Sequence, residues 1–280
     1  MRNIREVVQL STEFLEKKGV QHARREAEEL LATLLNKKRL ELYFDYDAPL
    51  EDKELEIYRN WIKRKGNKEP LAYILGEVEF LNLQLKVTPE TLIPRQETEI
   101  LASLIGKALP QTPLTIWDLC TGSGCLGLSL KDQRPDCSVT LSDISQEALA
   151  VARDNALKNE LAVEIVHGDL LEPFEGKTCD VVVCNPPYVT AEAYDKLEDE
   201  VRLFEPKRAL VGGVDFYERL SRTLPPYLNP QAQIFFEIGE DQGEALHQIF
   251  HQSHWKQKRC EKDWAGHDRF FFLEYHPETE

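Results

Sequence analysis

The sequence predicts an α/β protein in which a largely parallel sheet, covered by helices, follows a small helical bundle. Three observations carry this prediction. Short apolar segments alternate with longer helical segments after residue 88, which is the pattern of βαβ units. Residues 1–70 instead repeat their apolar positions at helical spacing. A glycine-rich segment, residues 118–124, leaves the first apolar strand, where open parallel sheets place ligand-binding turns.

The first 70 residues predict four amphipathic helices. In the first helix Ile4, Val7 and Val8 share one face, and Gly19 is a natural stop. Short connections between the apolar stripes favour a bundle. The fourth helix ends in the basic run of residues 63–65, which a solvated helix end and a partner-docking surface explain equally well.

Residues 71–90 predict a β-hairpin that connects the bundle to the sheet. Val78 and Phe80 alternate with polar residues, and Leu83 and Leu85 alternate in a second segment. The phase of the alternation changes after Phe80, which indicates a turn or bulge. The predicted division is therefore a helical domain at 1–70, a hairpin connector at 71–90 and a main domain at 91–280.

The main domain contains six short apolar runs that predict strands. They lie at residues 114–119, 138–141, 163–166, 181–184, 233–238 and 269–274. The segment 147–161 between the second and third predicts a helix. Consecutive parallel strands need such crossovers, so the carboxyl ends of the first four strands are expected along one rim of the sheet.

Charge and cysteine usage exclude several classes of protein. The formal net charge is −15, with +1 in residues 1–70 and −16 in residues 71–280, which disfavours bare polyanions and anionic membranes as partners. No apolar stretch reaches the ~18 residues of a membrane helix, and charged residues interrupt the N-terminus. The six cysteines form no Cys-x-x-Cys pair and the seven histidines are scattered. We therefore expect a cytoplasmic protein with reduced thiols and no metal site.

Polar groups follow successive predicted strands. Asp143 ends the second strand about 20 residues after the glycine-rich turn, the usual position of a ribose-binding carboxylate. Asp169 and Leu170 follow the third strand and can flank a flat ring. Taken singly, Asp143 can be a helix cap and Asp169 a turn residue. Their occurrence in order along one rim favours a nucleotide-like ligand.

The most specific motif is Asn185-Pro186-Pro187-Tyr188, directly after the fourth strand. The prolines stiffen the backbone and remove two N–H donors, which leaves a carbonyl free to point into the site. The Asn185 oxygen and that carbonyl can each accept one hydrogen from a planar –NH2 group, while the Tyr188 ring lies on its face. This arrangement suits an amide or an exocyclic amino group; a rigid turn is the alternative.

This tetrapeptide, at its distance from residues 118–124, resembles the amino-group branch of S-adenosylmethionine-dependent methyltransferases. Further segments are similar to the PrmC/HemK family, the protein-(glutamine-N5) methyltransferases of peptide-chain release factors. They are residues 69–76, 92–99, 205–213, 237–239 and 263–269. Two departures concern Gln96, where the family has proline, and the loop after Gly213, which is shorter.

The resemblance implies a class I methyltransferase with a seven-stranded, mostly parallel sheet and a helical N-terminal domain that contacts the release factor. It implies S-adenosyl-L-methionine as cofactor, with S-adenosyl-L-homocysteine as product. The implied methionine-binding residues are Cys120, Thr121, Gly122, Ser123 and Gly124. Asp143 is implied to bind the ribose, and Asp169 and Leu170 to flank the adenine.

The resemblance also implies the substrate and the residues that hold it. The substrate is the glutamine of the Gly-Gly-Gln motif in class 1 release factors, held by residues 185–188. Asn185, Pro186 and Tyr188 are the implied catalytic residues, and Asn185 also borders the cofactor. A nucleic-acid adenine N6-methyltransferase with the same amino-group site is the main alternative, and a cofactor-binding protein with a relic site is the non-enzymatic one. We expect a monomer that binds neither membranes nor nucleic acid.

Overall fold

The computed structural model describes residues 2–277 and divides the chain into two compact units. The helical unit comprises the residues up to Glu77 together with Glu198–Phe204. The sheet unit comprises Val78–Leu197 and Glu205–Glu280, of which the last three residues lie outside the described range. None of the helices in the described range is long and apolar enough to cross a bilayer.

The helical unit is built from five α-helices and one 3-10 helix. The α-helices are α1 (Ile4–Lys17), α2 (Ala23–Leu34), α3 (Asp52–Gly66), α4 (Leu71–Leu75) and α9 (Asp199–Phe204), and the 3-10 helix is Arg39–Tyr43. Asn3 starts α1, because its side-chain oxygen accepts from the Glu6 N–H at 2.9 Å while the Glu6 carboxylate accepts from the Asn3 N–H. The predicted amphipathic stripes meet in one apolar core, which confirms the helical N-terminal region.

The basic run at the end of α3 is largely paired inside the helical unit. Arg64 forms a two-pronged ion pair with Glu69. Lys65 is 2% exposed, and its Nζ lies 2.7 Å from Glu200 and 3.5 Å from Glu26. A buried ammonium needs such partners. Two of the three cations therefore serve the structure of this unit.

The predicted hairpin connector is wrong for its first residues. Residues 71–75 form helix α4 and only Glu77–Phe80 (β1) and Leu83–Lys86 (β2) form the hairpin. The physical reason is a pair of helix start and stop signals. Pro70 precedes the first turn of α4, and Gly76 ends the helix with φ of +82°. The alternation that predicted strands begins only after this glycine.

The hairpin packs on a helix through two asparagines. In α7 (Gln146–Lys158), the Asn155 side chain accepts from the Lys86 N–H and donates to its carbonyl. Asn159, just past the helix end, does the same for Gln84. These amides satisfy backbone groups of β2 that a further strand would otherwise pair.

The sheet unit is built on seven strands in the order β5-β4-β3-β6-β7-β9-β8. They are β3 (Thr115–Leu119), β4 (Ser138–Asp143), β5 (Glu164–His167), β6 (Cys179–Cys184), β7 (Leu228–Glu237), β8 (Trp255–Lys262) and β9 (Asp268–Tyr275). The first five of these strands, β3 to β7, run parallel to one another, whereas β9 is antiparallel to both β7 and β8. The mostly parallel seven-stranded sheet is confirmed, and β8 is the strand that the apolar runs did not predict.

Helices cover this sheet. They are α5 (Gln96–Ala108), α6 (Cys125–Gln133), α7, α10 (Asp215–Thr223) and α11 (Gly243–Ile249), whereas the short α8 (Ala191–Tyr194) buries none of its residues. Two apolar clusters form the core, one containing Leu101 and Leu141 and the other Tyr217 and Phe236. Since the strand order reverses between β3 and β6, the crevice beyond their carboxyl ends is the expected ligand site of such a sheet.

Candidate functional site

A cleft lies at this reversal point, beyond the ends of β3, β4 and β6. Its empty volume is about 820 Å³ when the open solvent at its mouth is included. The predicted site residues that line it are Cys120, Thr121, Gly122, Ser123, Asp143, Asn185 and Pro187. Residues from separate predicted strand ends thus meet at one site.

The glycine-rich turn after β3 has a backbone that few other sequences adopt. Cys120, Gly122 and Gly124 have φ of +57°, +56° and +84°. A Cβ on Gly124 would lie 3.0 Å from Leu128 Cδ1 and 3.3 Å from Ala152 Cβ, so this position needs glycine for space and for conformation. The turn therefore presents its backbone to the cleft at close range.

Asp143 fixes this turn from the neighbouring strand. Its Oδ2 accepts from the Gly122 N–H and its Oδ1 from the Ser145 N–H, both at 2.9 Å. Burial raises the pKa of the Asp143 carboxyl, while these two N–H donors oppose the rise. A half-buried carboxylate that faces a cleft and still has acceptor capacity is suited to the hydroxyl groups of a ribose.

Asp118 is a cleft residue that the sequence analysis did not assign. It is 1% exposed, and its Oδ2 accepts from the Thr121 hydroxyl and from the Gly127 N–H. Burial raises the pKa of Asp118 to about 7. Its position next to the end of the buried strand β3 was the available signal, because an acid there needs partners or a ligand.

Asp169 and Leu170 are not among the residues that line the cleft. The Asp169 carboxylate pairs with Arg219 at 2.7 Å, and Leu170 is buried with φ of +53°. Ile144, which follows Asp143, lines the cleft instead and is 63% exposed. It offers an exposed apolar surface to a flat ring from the end of β4, whereas Asp169 and Leu170 follow β5.

The Asn185–Tyr188 segment continues from β6 along the floor of the site. Asn185 is half-buried and Pro187 buried, and both line the cleft; the buried Pro186 and the half-buried Tyr188 adjoin them in sequence but are not among the lining residues. The Tyr188 carbonyl accepts from Gln242 Nε2 at 2.9 Å. A turn held from several elements can keep an acceptor pair in one orientation.

Two further polar residues contact this segment: Thr98, which also lines the cleft, and Glu237. Both are 1% exposed. Asn185 Nδ2 lies 3.4 Å from the Thr98 hydroxyl, and the Tyr188 hydroxyl donates to Glu237 at 3.2 Å. Burial raises the pKa of the Glu237 carboxyl, and the hydroxyl donors and Arg269 oppose this.

The two departures from the family pattern leave the cleft lining intact. Gln96 is exposed at the start of α5. The segment after Gly213 starts α10, and its Phe216 lines the cleft. Arg95, close to Gln96, pairs with the buried Glu205.

The fold and the cleft define a class I S-adenosylmethionine-dependent methyltransferase. The glycine turn and the strand-end acid Asp143 fit this cofactor, and residues 95–208 match the family model of the methyltransferase small domain. Residues 6–76 match that of the PrmC N-terminal domain. The chain belongs to the family of release factor glutamine methyltransferases.

Two relatives support this family membership. The release factor glutamine methyltransferase of Chlamydia trachomatis serovar D is 42% identical over 97% of this chain and 94% of its own. The release factor glutamine methyltransferase of Geobacter sulfurreducens is 36% identical over 95% of this chain and 94% of its own. Both alignments include the helical unit as well as the sheet unit.

Solved structures confirm the fold. A methyltransferase from Pyrococcus furiosus superposes with a TM-score of 0.53 at 17% identity, over 77% of this chain and 98% of the other. The Thermus thermophilus 16S rRNA N2 G1207 methyltransferase, in complex with AdoMet and guanosine, superposes with a TM-score of 0.52 at 16% identity. The superposition covers 71% of this chain and 50% of the other.

Replacing Asp143 with alanine should weaken cofactor binding at least about tenfold, because charge-assisted hydrogen bonds of about 1.5–3 kcal/mol are lost. The Gly122 N–H also loses its acceptor. Titration calorimetry with S-adenosyl-L-homocysteine measures the change. Asp154→Asn is the matched control, since Asp154 is an exposed acid paired with Lys86. Equal affinity of Asp143→Ala and wild type would contradict the prediction.

Proposed function

We propose that this enzyme transfers a methyl group from S-adenosylmethionine to the side-chain amide nitrogen of the glutamine in the Gly-Gly-Gln motif of class 1 peptide-chain release factors. The observation that carries the proposal is the position of the Asn185–Tyr188 segment. It lies where β6 ends, in the cleft that also contains the glycine turn. The names of the relatives support the same substrate.

In the proposed mechanism the protein positions the reacting groups. The cofactor supplies an already activated sulfonium methyl group. Asn185 Oδ1 and the Pro186 carbonyl accept the two hydrogens of the substrate –NH2 group, and the Tyr188 ring packs on the amide. The nitrogen lone pair is thereby directed at the methyl carbon for in-line displacement. The amide loses one proton, which water or a nearby carboxylate accepts.

The remaining site assignments belong to the same proposal. Residues 120–124 bind the methionine part of the cofactor, and Asp143 binds the ribose hydroxyls. Asp169 and Leu170 flank the adenine, which requires them to approach the cleft when the cofactor is bound.

The helical unit is proposed to dock the release factor. Its near-neutral charge and its exposed Leu40 and Phe44, 66% and 87% exposed, support contact with a protein surface. We further propose that the enzyme acts as a monomer in the cytoplasm, where release factors function.

A methyl-transfer assay tests the proposed function against the adenine alternative. With labelled cofactor, we expect label in a release factor but not in its Gly-Gly-Gln glutamine-to-alanine variant or in DNA. The net charge of −16 outside residues 1–70 supports this expectation, because nucleic-acid acceptors need phosphate contacts. Label in DNA, or equal label in both release factor forms, would overturn the proposal.

A further inference from the structure

A continuous series of hydrogen bonds links Asn185 to Tyr188 through Thr98 and Glu237. Asn185 Nδ2 contacts Thr98 Oγ1 at 3.4 Å, and the Thr98 hydroxyl donates to Glu237 Oε2 at 2.7 Å. The other carboxylate oxygen accepts from the Tyr188 hydroxyl at 3.2 Å. One buried acid therefore connects both polar side chains of the proposed amide site.

The donors and acceptors available allow only one direction for the hydrogen bonds from Asn185 through Thr98 to Glu237. A carboxylate has only acceptors, so the single Thr98 proton is committed to Glu237. The Thr98 oxygen can then only accept from Asn185, which must present its –NH2 group to it. The Asn185 oxygen is left for the substrate, and the opposite amide orientation would place two acceptors against each other.

The surroundings of Glu237 hold this acid in place. Its carbonyl accepts from the Tyr217 hydroxyl at 2.7 Å, and Arg269 lies close enough to oppose the rise in the pKa of the carboxyl that burial causes. Thr98 lies in the first turn of α5, and Glu237 is the last residue of β7. Neither residue depends on a mobile loop for its position.

We propose that Thr98 and Glu237 are positioning residues of the methyl-transfer site. Glu237 sets the direction of the Thr98 hydroxyl, which in turn holds the Asn185 amide with its oxygen towards the substrate –NH2 group. Glu237 also anchors the Tyr188 ring by its hydroxyl. The inference rests on the proposed function for the identity of that –NH2 group, whereas the orientation of Asn185 can be measured without any substrate.

Thr98→Val and Thr98→Ser form the decisive pair. Valine keeps the shape of threonine but neither accepts from Asn185 nor donates to Glu237. We expect a 10- to 50-fold lower kcat at saturating release factor, with the affinity for S-adenosyl-L-homocysteine unchanged within about twofold. Thr98→Ser should recover most of the lost kcat, because it restores the hydroxyl.

An NMR measurement separates this inference from the proposed function. In isotope-labelled protein, the Asn185 side-chain –NH2 resonances, assigned with Asn185→Ala, should move in Thr98→Val and stay in Thr98→Ser. Tyr188→Phe is the matched control, since it also removes one hydroxyl donor from Glu237 but leaves the Asn185–Thr98 contact.

The outcomes are distinct. Unmoved Asn185 resonances in Thr98→Val, or a kcat equal to that of wild type, would overturn the positioning role. Equal shifts in Thr98→Val and Tyr188→Phe would overturn it as well. Wild-type protein that leaves the release factor unmethylated would instead overturn the proposed function, while the resonances still report on the orientation of Asn185. Thermal melting of each variant confirms that it is folded at the assay temperature.

Discussion

Replacing Asn185 with alanine is expected to lower methyl transfer to a release factor roughly a thousandfold, while the affinity for the cofactor changes by less than about threefold. Asn185 supplies one of the two acceptors that orient the substrate –NH2 group in the proposed mechanism. Loss of a well-placed hydrogen-bonding group that holds the reacting geometry typically costs 10²–10³ in rate. The glycine turn and Asp143, which are the proposed cofactor contacts, follow β3 and β4 and not β6, so the substitution leaves them in place.

The measurement needs both a rate and an affinity. Single-turnover methyl transfer gives the chemical step, and calorimetry with S-adenosyl-L-homocysteine gives the affinity. Asn82→Ala is the matched control, because Asn82 is exposed and donates to Asp132 outside the cleft. Near-normal turnover by Asn185→Ala would remove this residue from the mechanism. A parallel loss of affinity and rate would instead make it a cofactor ligand.

Most of the fold was predictable because its strands are buried on both faces. Such strands appear as continuous apolar runs, as in β6, whose last four residues are all less than 2% exposed. Strand β8 differs in that it lies at the edge of the sheet and contains Lys256, Lys258 and Arg259. Charges on an edge strand limit pairing with other chains. The same charges remove the apolar run by which a strand is recognised.

The site was predictable where its residues are close in sequence and follow strands. The Asn185–Tyr188 segment and the glycine turn are local motifs, so their chemistry can be inferred from adjacent residues. The contact between Thr98 and Glu237 joins positions 139 residues apart, and no local pattern specifies such a pair. The place of Ile144 in the cleft was not predictable for another reason, because single exposed apolar residues are common on any protein surface.

Gly212 lies in a loop that contacts the Asn185–Tyr188 segment, and replacing it tests whether this contact positions the proposed amide site. Gly212 N donates to the Val189 carbonyl at 3.0 Å, directly after the Asn185–Tyr188 segment. A Cβ on Gly212 would lie 2.3 Å from the Pro187 carbonyl oxygen and 2.8 Å from Phe216 Cε2. The first of these atoms belongs to the backbone, which cannot rotate away. Accommodation therefore requires Pro187, or the strand-like contact at Val189, to move.

Gly212→Ala is expected to lower kcat/KM for the release factor roughly a hundredfold, since a displacement of about 1 Å at a reacting group has an effect of this size. Overpacking should also lower the free energy of unfolding by about 1–3 kcal/mol. Steady-state methyl transfer and chemical denaturation measure the two quantities. Cofactor affinity should change less than kcat/KM, because the atoms nearest to a Cβ on Gly212 belong to Pro187 and Phe216 and none belongs to the glycine turn.

The neighbouring glycine provides the control. Gly213 has φ of +61°, and a Cβ there would meet nothing within 4 Å. Gly213→Asn therefore adds backbone strain, which asparagine tolerates better than other residues, but no collision with Pro187. Both variants lose some stability, so stability alone cannot explain a difference in rate. If the two variants have the same kcat/KM, the close approach of Gly212 to Pro187 does not position the proposed amide site. If only Gly212→Ala is slow, the geometry of that site depends on the absence of a side chain at position 212.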